Sequence, residues 1–164
     1  MARPAARGER ALRGAWRLMH PHTEQLVLAV AHVREFTKAS ADRGDAATFA
    51  TLQAHYLLAA EAAQTAGGRF IKPIGDGVLL TFPVERAAAA VAALHDFQRR
   101  ATATWRSFDE RCHVQVKIGA GSVVCGLLGA PGDERLDVVG SALNALFKAP
   151  WQDFSVAPEV AALT

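Results

Sequence analysis

The feature that most constrains the fold of this chain is the stretch from Gly67 to Phe82, GGRFIKPIGDGVLLTF. Two short runs rich in apolar and β-branched residues are joined through Gly75-Asp76-Gly77. Because Asp-Gly tolerates the positive φ angles of a primed turn, this pattern predicts a tight β-hairpin over residues 69–82. The hairpin would carry Asp76 at its tip and Lys72 in the strand before it. Their functional meaning depends on which other residues the fold brings to them.

Composition places the chain among globular proteins of one domain. The 164 residues are 51% hydrophobic and 21% charged, with a net charge of +2, which is too weakly basic to indicate nucleic-acid binding. No apolar run reaches the roughly 18 residues of a membrane-spanning helix. The two cysteines, Cys112 and Cys125, have no CxxC or Cys/His metal spacing and are interpreted as structural thiols of a reducing compartment. We therefore expect a cytoplasmic protein without a transmembrane segment.

The N-terminal residues 1–23 read as a basic arm, and residues 24–164 as the folded domain. Arginines at positions 3, 7, 10, 13 and 17 fall near helical spacing, which favours a solvated basic helix or arm and leaves open contact with a membrane surface or an acidic partner. His20 and His22 form an HxH pair without a third ligand nearby in the sequence, so they are interpreted as polar linker residues.

The remaining patterns predict alternating strands and helices. Apolar or alternating runs indicate strands over Gln25–Val33, Cys112–Ala120, Ser122–Leu128, Arg135–Val139 and Phe154–Val156, the second and third joined by a turn at Gly119–Gly121. Periodic runs indicate helices from Asp45 (a candidate N-cap) to about Ala66, from Pro83 towards Arg100 or Trp105, over Ala142–Lys148 with Ser141 as N-cap, and after Pro158. This order predicts an α+β fold of the ferredoxin-like split βαβ type, with an antiparallel-dominated sheet and helices packed on one side.

Four segments together resemble the catalytic domain of class III nucleotidyl cyclases. They are AHVREFT at 31–37, FIKPIGDGVLLTF at 70–82, VKIGAGSVVCGLLG at 116–129 and LDVVGSALNALFK at 136–148. The second and third are close to the family patterns, and the resemblance spans about residues 25–148. It implies conversion of ATP to 3′,5′-cyclic AMP and pyrophosphate at sites formed between two subunits, in a homodimer or in a heterodimer with another cyclase-like chain.

The resemblance also implies roles for individual residues. Asp76 matches one of two carboxylates that hold a pair of divalent ions, Mg²⁺ or Mn²⁺. Lys72 and Asp137 match the lysine and aspartate that select adenine, and Asn144 matches the asparagine that orients the ribose. A lysine donor and a carboxylate acceptor are complementary to the edge of adenine, whereas guanine needs the opposite pattern.

Three positions depart from the family pattern. His32 stands where the family has the other metal-binding aspartate, Glu35 where it has a glycine, and Lys148 where it has the transition-state arginine. An imidazole suits magnesium poorly, and lysine lacks the bidentate fork of arginine. His32 is open to two interpretations, a metal ligand or a hydrogen-bonded structural residue. The chain as a whole is likewise open to two, a weak or degenerate adenylate cyclase, or an inactive cyclase-like domain for dimerisation or nucleotide sensing.

Overall fold

The computed structural model describes residues 20–164. Within this range a mixed α+β domain is formed by six strands, five α-helices and one 3₁₀ turn, Val84–Arg86. The strands are β1 (His22–Arg34), β2 (Arg69–Ile74), β3 (Gly77–Pro83), β4 (His113–Leu128), β5 (Arg135–Val139) and β6 (Phe154–Val156). The helices are α1 (Phe36–Arg43), α2 (Asp45–Thr65), α3 (Ala87–Phe108), α4 (Ser141–Lys148) and α5 (Pro158–Ala161).

The sheet is organised around β1, as the long apolar run in the sequence predicts. The strand order is β2-β3-β1-β4-β5, with every pairing antiparallel except that of β6, which runs parallel to β4. All 13 residues of β1 pair with β4. The antiparallel-dominated sheet is therefore confirmed.

The two faces of the sheet are covered unequally. Alternate residues of β1, such as Val27 and Ala29, are buried beneath the long helices α2 and α3. Their neighbours, such as Leu28 and Val30, join a smaller core on the opposite face, where the short helix α4 packs. The predicted packing of the long helices on one side is confirmed, and α4 shields only part of the other side.

The predicted turn between two strands at Gly119–Gly121 is wrong, because β4 is one continuous strand of 16 residues. The glycines are required for close packing. A Cβ at Gly121 would lie 2.5 Å from the Cβ of Ala142, and one at Gly119 would lie 3.3 Å from Leu146 Cδ1. The absent side chains let α4 approach the sheet, a use of strand glycine that a sequence pattern does not separate from a turn.

The hairpin over β2 and β3 forms as predicted, but with a different residue in the left-handed conformation. Gly75 has a φ of 59°, whereas Asp76 has no positive φ. One positive φ at the first central position matches a type II′ turn, which glycine favours there. The hydroxyl of Tyr56 on α2 donates a hydrogen bond to the carbonyl oxygen of Gly75, which attaches the turn to the helix layer.

Several element boundaries also differ from the predictions. The break between the first helices is at Gly44, whose φ is 84°, so Asp45 is the first residue of α2 and not its cap. Gly140, and not Ser141, occupies the N-cap of α4. Glu35 precedes α1 with a φ of 64°, a left-handed conformation that glycine adopts more easily.

The basic arm lies largely outside the described residues. Residues 1–19 fall beyond the described range, and β1 already begins at His22. His22 is therefore a strand residue and not part of a linker. No helix of the described part of the chain is both long and apolar enough to cross a membrane.

Candidate functional site

The two residues expected to read a base meet in space although their strands lie at opposite ends of the sheet order. Lys72 Nζ on β2 lies 2.5 Å from Asp137 Oδ2 on β5. The sheet therefore curls until its two ends approach each other. The other carboxylate oxygen, Asp137 Oδ1, accepts a hydrogen bond of 2.8 Å from the backbone N–H of Val138.

A cavity of about 110 Å³ lies between the same two strands. Its lining includes Ile71, Leu136 and Val138, the sequence neighbours of the Lys72–Asp137 pair. Sites that enclose a drug-sized ligand typically measure about 300–1,000 Å³. This cavity thus offers room for part of a nucleotide at most.

Asp76 lies at the far end of the hairpin, one third exposed. Its Oδ2 accepts a hydrogen bond of 3.2 Å from the backbone N–H of Val33, and the same oxygen lies 3.8 Å from His32 Nδ1. Burial, together with the negative charge of Asp76, raises the pKa of the Tyr56 hydroxyl. The hairpin tip is consequently fixed both to the end of β1 and to α2.

His32 is held by contacts on two sides. Its Nε2 lies 2.9 Å from Gln115 Oε1 on the neighbouring strand, and its ring lies against the indole of Trp151, with centroids 3.9 Å apart. Ile74, Phe147 and Trp151 line a small apolar pocket beside His32. The imidazole thus stands in a largely apolar setting.

Lys117 on β4 is part of this arrangement, although it is a charged residue. It is 1% exposed, and its Nζ donates to the carbonyl oxygens of Phe147 at 3.0 Å and Ala149 at 2.7 Å. The ammonium also lies 4.0 Å from the centre of the Trp151 ring, within the range of a cation–π interaction. Burial lowers the pKa of Lys117. The lysine therefore fixes the C-terminal end of α4 and the ring of Trp151, which lies against His32. No local sequence pattern indicates this role.

The residues around Asp76 do not fit a pair of magnesium ions. Mg²⁺ prefers near-octahedral oxygen ligands, while this position combines one carboxylate with the imidazole of His32. The imidazole is already bonded to Gln115 and packed against the tilted ring of Trp151. The donor set therefore disagrees with the two-metal arrangement that the resemblance implies.

Asn144 and Lys148 lie exposed on α4. Because they are four residues apart, they share one face of the helix. Within one chain, the structure brings Lys72 to Asp137 and His32 to Asp76. Asn144 and Lys148 form a third, separate group on α4.

Comparison with known proteins gives matches to solved structures alone. No family model matches the chain, and no curated protein does. The adenylyl cyclase CyaB from P. aeruginosa superposes with a TM-score of 0.79 at 17% identity, covering 88% of this chain and 82% of that one. The guanylyl cyclase Cya2 superposes with a TM-score of 0.78 at 18% identity, covering 88% of this chain and 80% of that one. The guanylate cyclase domain of RhGC from Catenaria anguillulae, in complex with GTP, superposes with a TM-score of 0.73 at 18% identity. The match covers 87% of this chain and 83% of that one.

These similarities extend over most of each chain. They agree with the antiparallel-dominated sheet and the long helices on one face. The described chain therefore has the fold of a class III adenylyl or guanylyl cyclase catalytic domain.

Proposed function

We propose that this chain is a cyclase-fold domain that binds ATP at the interface of a dimer and cyclises it weakly or not at all. The observation that carries the proposal is the ion pair between Lys72 and Asp137, which joins the two ends of the sheet beside a cavity. An ammonium donor and a carboxylate acceptor side by side complement the acceptor N1 and the donor 6-amino group of adenine.

A second chain is needed to complete the site. The cavity beside the base-reading pair is several-fold smaller than a typical ligand site, and Asn144 and Lys148 lie apart from that pair. Three large apolar side chains near the hairpin tip, Ile74, Phe147 and Trp151, are each more than one third exposed. An apolar surface of this kind beside an incomplete site favours a partner chain of the same fold.

Reduced catalysis follows from the surroundings of His32. An imidazole that bonds to Gln115 and packs against Trp151 adds no negative charge beside Asp76. The position therefore lacks the second carboxylate that cyclisation in this family requires. Nucleotide binding relies on the base-reading pair and on the exposed Asn144 and Lys148 of α4, so it is expected to persist.

A second candidate is a slow but active adenylate cyclase. The presence of Asn144 and Lys148 on one exposed face of α4 favours it, because they occupy the positions that match the family's ribose-orienting asparagine and transition-state arginine. In this alternative Lys148 supplies positive charge near the phosphates without the bidentate geometry of arginine.

The proposal is tested by titrating the purified chain with ATP, GTP, CTP and UTP in a calorimeter, in buffer with Mg²⁺ or Mn²⁺. We expect ATP to bind more tightly than the other three. Lys72→Ala and Asp137→Ala should each weaken ATP binding about tenfold or more, since a hydrogen bond to a charged group is worth about 1.5–3 kcal/mol. Arg135→Ala is the matched control, because Arg135 is an exposed charge on the same strand as Asp137 and pairs with Asp133.

Mass spectrometry of the same mixtures separates the two candidates. Cyclic AMP that disappears in Asp76→Ala would establish the active enzyme. ATP binding without cyclic product would establish the binding domain. Equal binding of all four nucleotides, or none, would contradict the assignment of Lys72 and Asp137.

A further inference from the structure

A cluster of metal-ligating side chains stands at the other end of β1, away from Asp76 and His32. It consists of His22 and Glu24 on β1 and Cys125 on β4, and all three ligand atoms lie within 4.8 Å of one another. Among residues 20–164 it is the one group of three or more His, Cys, Asp or Glu side chains with this property. The family resemblance assigns no role to any of the three.

The cluster is a consequence of strand register. His22 pairs directly with Cys125 across the β1–β4 ladder, and Glu24 follows two residues later on the same face. Residues opposite each other in an antiparallel pair have Cβ atoms about 4.5–5.5 Å apart. A rigid sheet therefore holds the nitrogen, oxygen and sulfur ligands close together before any ion arrives.

The imidazole of His22 is oriented as metal-ligating histidines usually are. Its Nδ1 lies 3.0 Å from the backbone carbonyl oxygen of His20, an acceptor that fixes the proton on Nδ1. In the neutral ring Nε2 then carries a lone pair, and this nitrogen lies 3.3 Å from Glu24 Oε2. Two acceptors facing each other repel unless a proton or a metal ion lies between them. A backbone carbonyl behind the ring is the common second partner of a zinc-bound histidine.

The spacing also suits a tetrahedral ion. Ligands about 2.05 Å from a common tetrahedral centre lie about 3.3 Å apart, the separation found between His22 Nε2 and Glu24 Oε2. A thiolate, a carboxylate and a neutral imidazole balance the charge of a divalent ion. Glu24 and Cys125 also line the cavity of about 110 Å³, which leaves a fourth position for water or an anion.

We propose that His22, Glu24 and Cys125 form a site for a divalent transition metal of the zinc type. Cys125 is 4% exposed, and burial followed by the charge of Glu24 raises the pKa of its thiol in the metal-free chain. On binding, the S–H bond breaks, the proton passes to buffer and a sulfur–metal bond forms, without a change of oxidation state. Its three ligands are distinct from the base-reading pair Lys72 and Asp137.

The site is tested by titrating the full chain with Co²⁺ under a thiol-free reductant, with absorption spectroscopy. We expect one equivalent to produce a thiolate-to-cobalt charge-transfer band and the visible bands of a tetrahedral ion, both abolished by Zn²⁺. Cys125→Ala should remove the charge-transfer band. Cys112→Ala, which removes the other buried cysteine, is the matched control and should retain it.

Further variants keep the test informative if Cys125→Ala folds poorly. His22→Gln and Glu24→Gln alter partly exposed positions and should each weaken Co²⁺ binding about tenfold or more, the scale of lost ligand contacts. His20→Ala should leave the spectrum unchanged, because His20 contributes its backbone carbonyl. The proposal is overturned if no charge-transfer band forms, if the band survives Cys125→Ala, or if binding requires His20 and not Cys125.

Discussion

The imidazole of His32 and the indole of Trp151 lie against each other, with ring centroids 3.9 Å apart and planes inclined by 41°. Trp151 also contacts Lys117, whose ammonium lies 4.0 Å from the centre of the indole ring. His32 is therefore supported by an aromatic ring that itself contacts a buried cation. His32 packs its ring against Trp151, a contact that the smaller, non-aromatic side chain of aspartate could not make.

Restoring a carboxylate at this position should couple the stability of the domain to divalent ions. In His32→Asp the new carboxylate would lie near Asp76, since Oδ2 of Asp76 is 3.8 Å from the present imidazole. Like charges at this distance and partial exposure should lower the free energy of unfolding by about 1 kcal/mol. Mn²⁺ or Mg²⁺ should reverse the loss, measured as a rise in Tm with ion concentration.

His32→Asn is the control for His32→Asp, because it removes the ring without adding charge. Its Tm should respond to the ions no more than that of the unmodified chain. If His32→Asp shows the same weak response, position 32 does not limit ion binding at Asp76. Increased nucleotide binding or turnover in His32→Asp would strengthen the link to the proposed function.

The buried histidine of α2 should make stability depend on pH. His55 Nδ1 accepts a hydrogen bond of 3.2 Å from Trp105 Nε1, while Nε2 has no partner among the described residues. Burial lowers the pKa of His55 from an ordinary 6.5 to about 4. Above pH 6.5 the ring is neutral in both folded and unfolded chains, so the stability that depends on the neutral ring is fully present there.

As the pH falls from 6.5 to 4, the unfolded chain takes up a proton at His55 that the folded chain does not. The free energy of unfolding should therefore drop by up to about 3 kcal/mol across this window, measured by urea denaturation at several pH values. His55→Asn, whose amide oxygen can still accept from Trp105, should flatten this dependence. His95→Asn removes an exposed histidine and should leave the pH dependence of the free energy of unfolding unchanged. If both variants show the same pH dependence, its assignment to His55 is wrong.

Glu35 should be replaceable by glycine with a gain in stability. Its φ of 64° is strained for a residue with a Cβ, at a cost of about 1 kcal/mol. Glu35→Gly is expected to raise the free energy of unfolding by about 0.5–1 kcal/mol, measured by chemical denaturation. Glu35→Ala keeps the Cβ and should bring no such gain. A loss of stability in Glu35→Gly would mean that the glutamate side chain contributes more than its backbone strain costs.

The close approach of α4 to the sheet should be sensitive to a single methyl group. In Gly121→Ala the new Cβ would lie 2.5 Å from Ala142 Cβ, so the helix carrying Asn144 and Lys148 must shift. Overpacking of this kind costs about 1–3 kcal/mol, measured as the change in the free energy of unfolding. Gly119→Ala meets the flexible end of Leu146 at 3.3 Å and should cost less. Equal losses would show that strand propensity and not helix contact sets the effect.

Local chemistry explains which parts of the site could be predicted from the sequence. The Asp76 hairpin is specified by adjacent glycines, and the apolar run of β1 can only be a buried strand. The glycines of β4 misled prediction because turn formation and helix contact use the same residue type. Asp45 and Ser141 are good caps by type, yet the glycines before them occupy the caps in the structure.

The sequence by itself determined the α+β class and the antiparallel sheet, because short-range turn and strand preferences fix these elements. Only the tertiary structure decided which side chains meet. The curl of the sheet joins Lys72 to Asp137, and the segment after α4 buries Lys117 and places Trp151 on His32. Strand register brings Cys125 to His22 and Glu24. Each of these contacts joins residues at least 30 positions apart, a separation at which local sequence carries no information about distance.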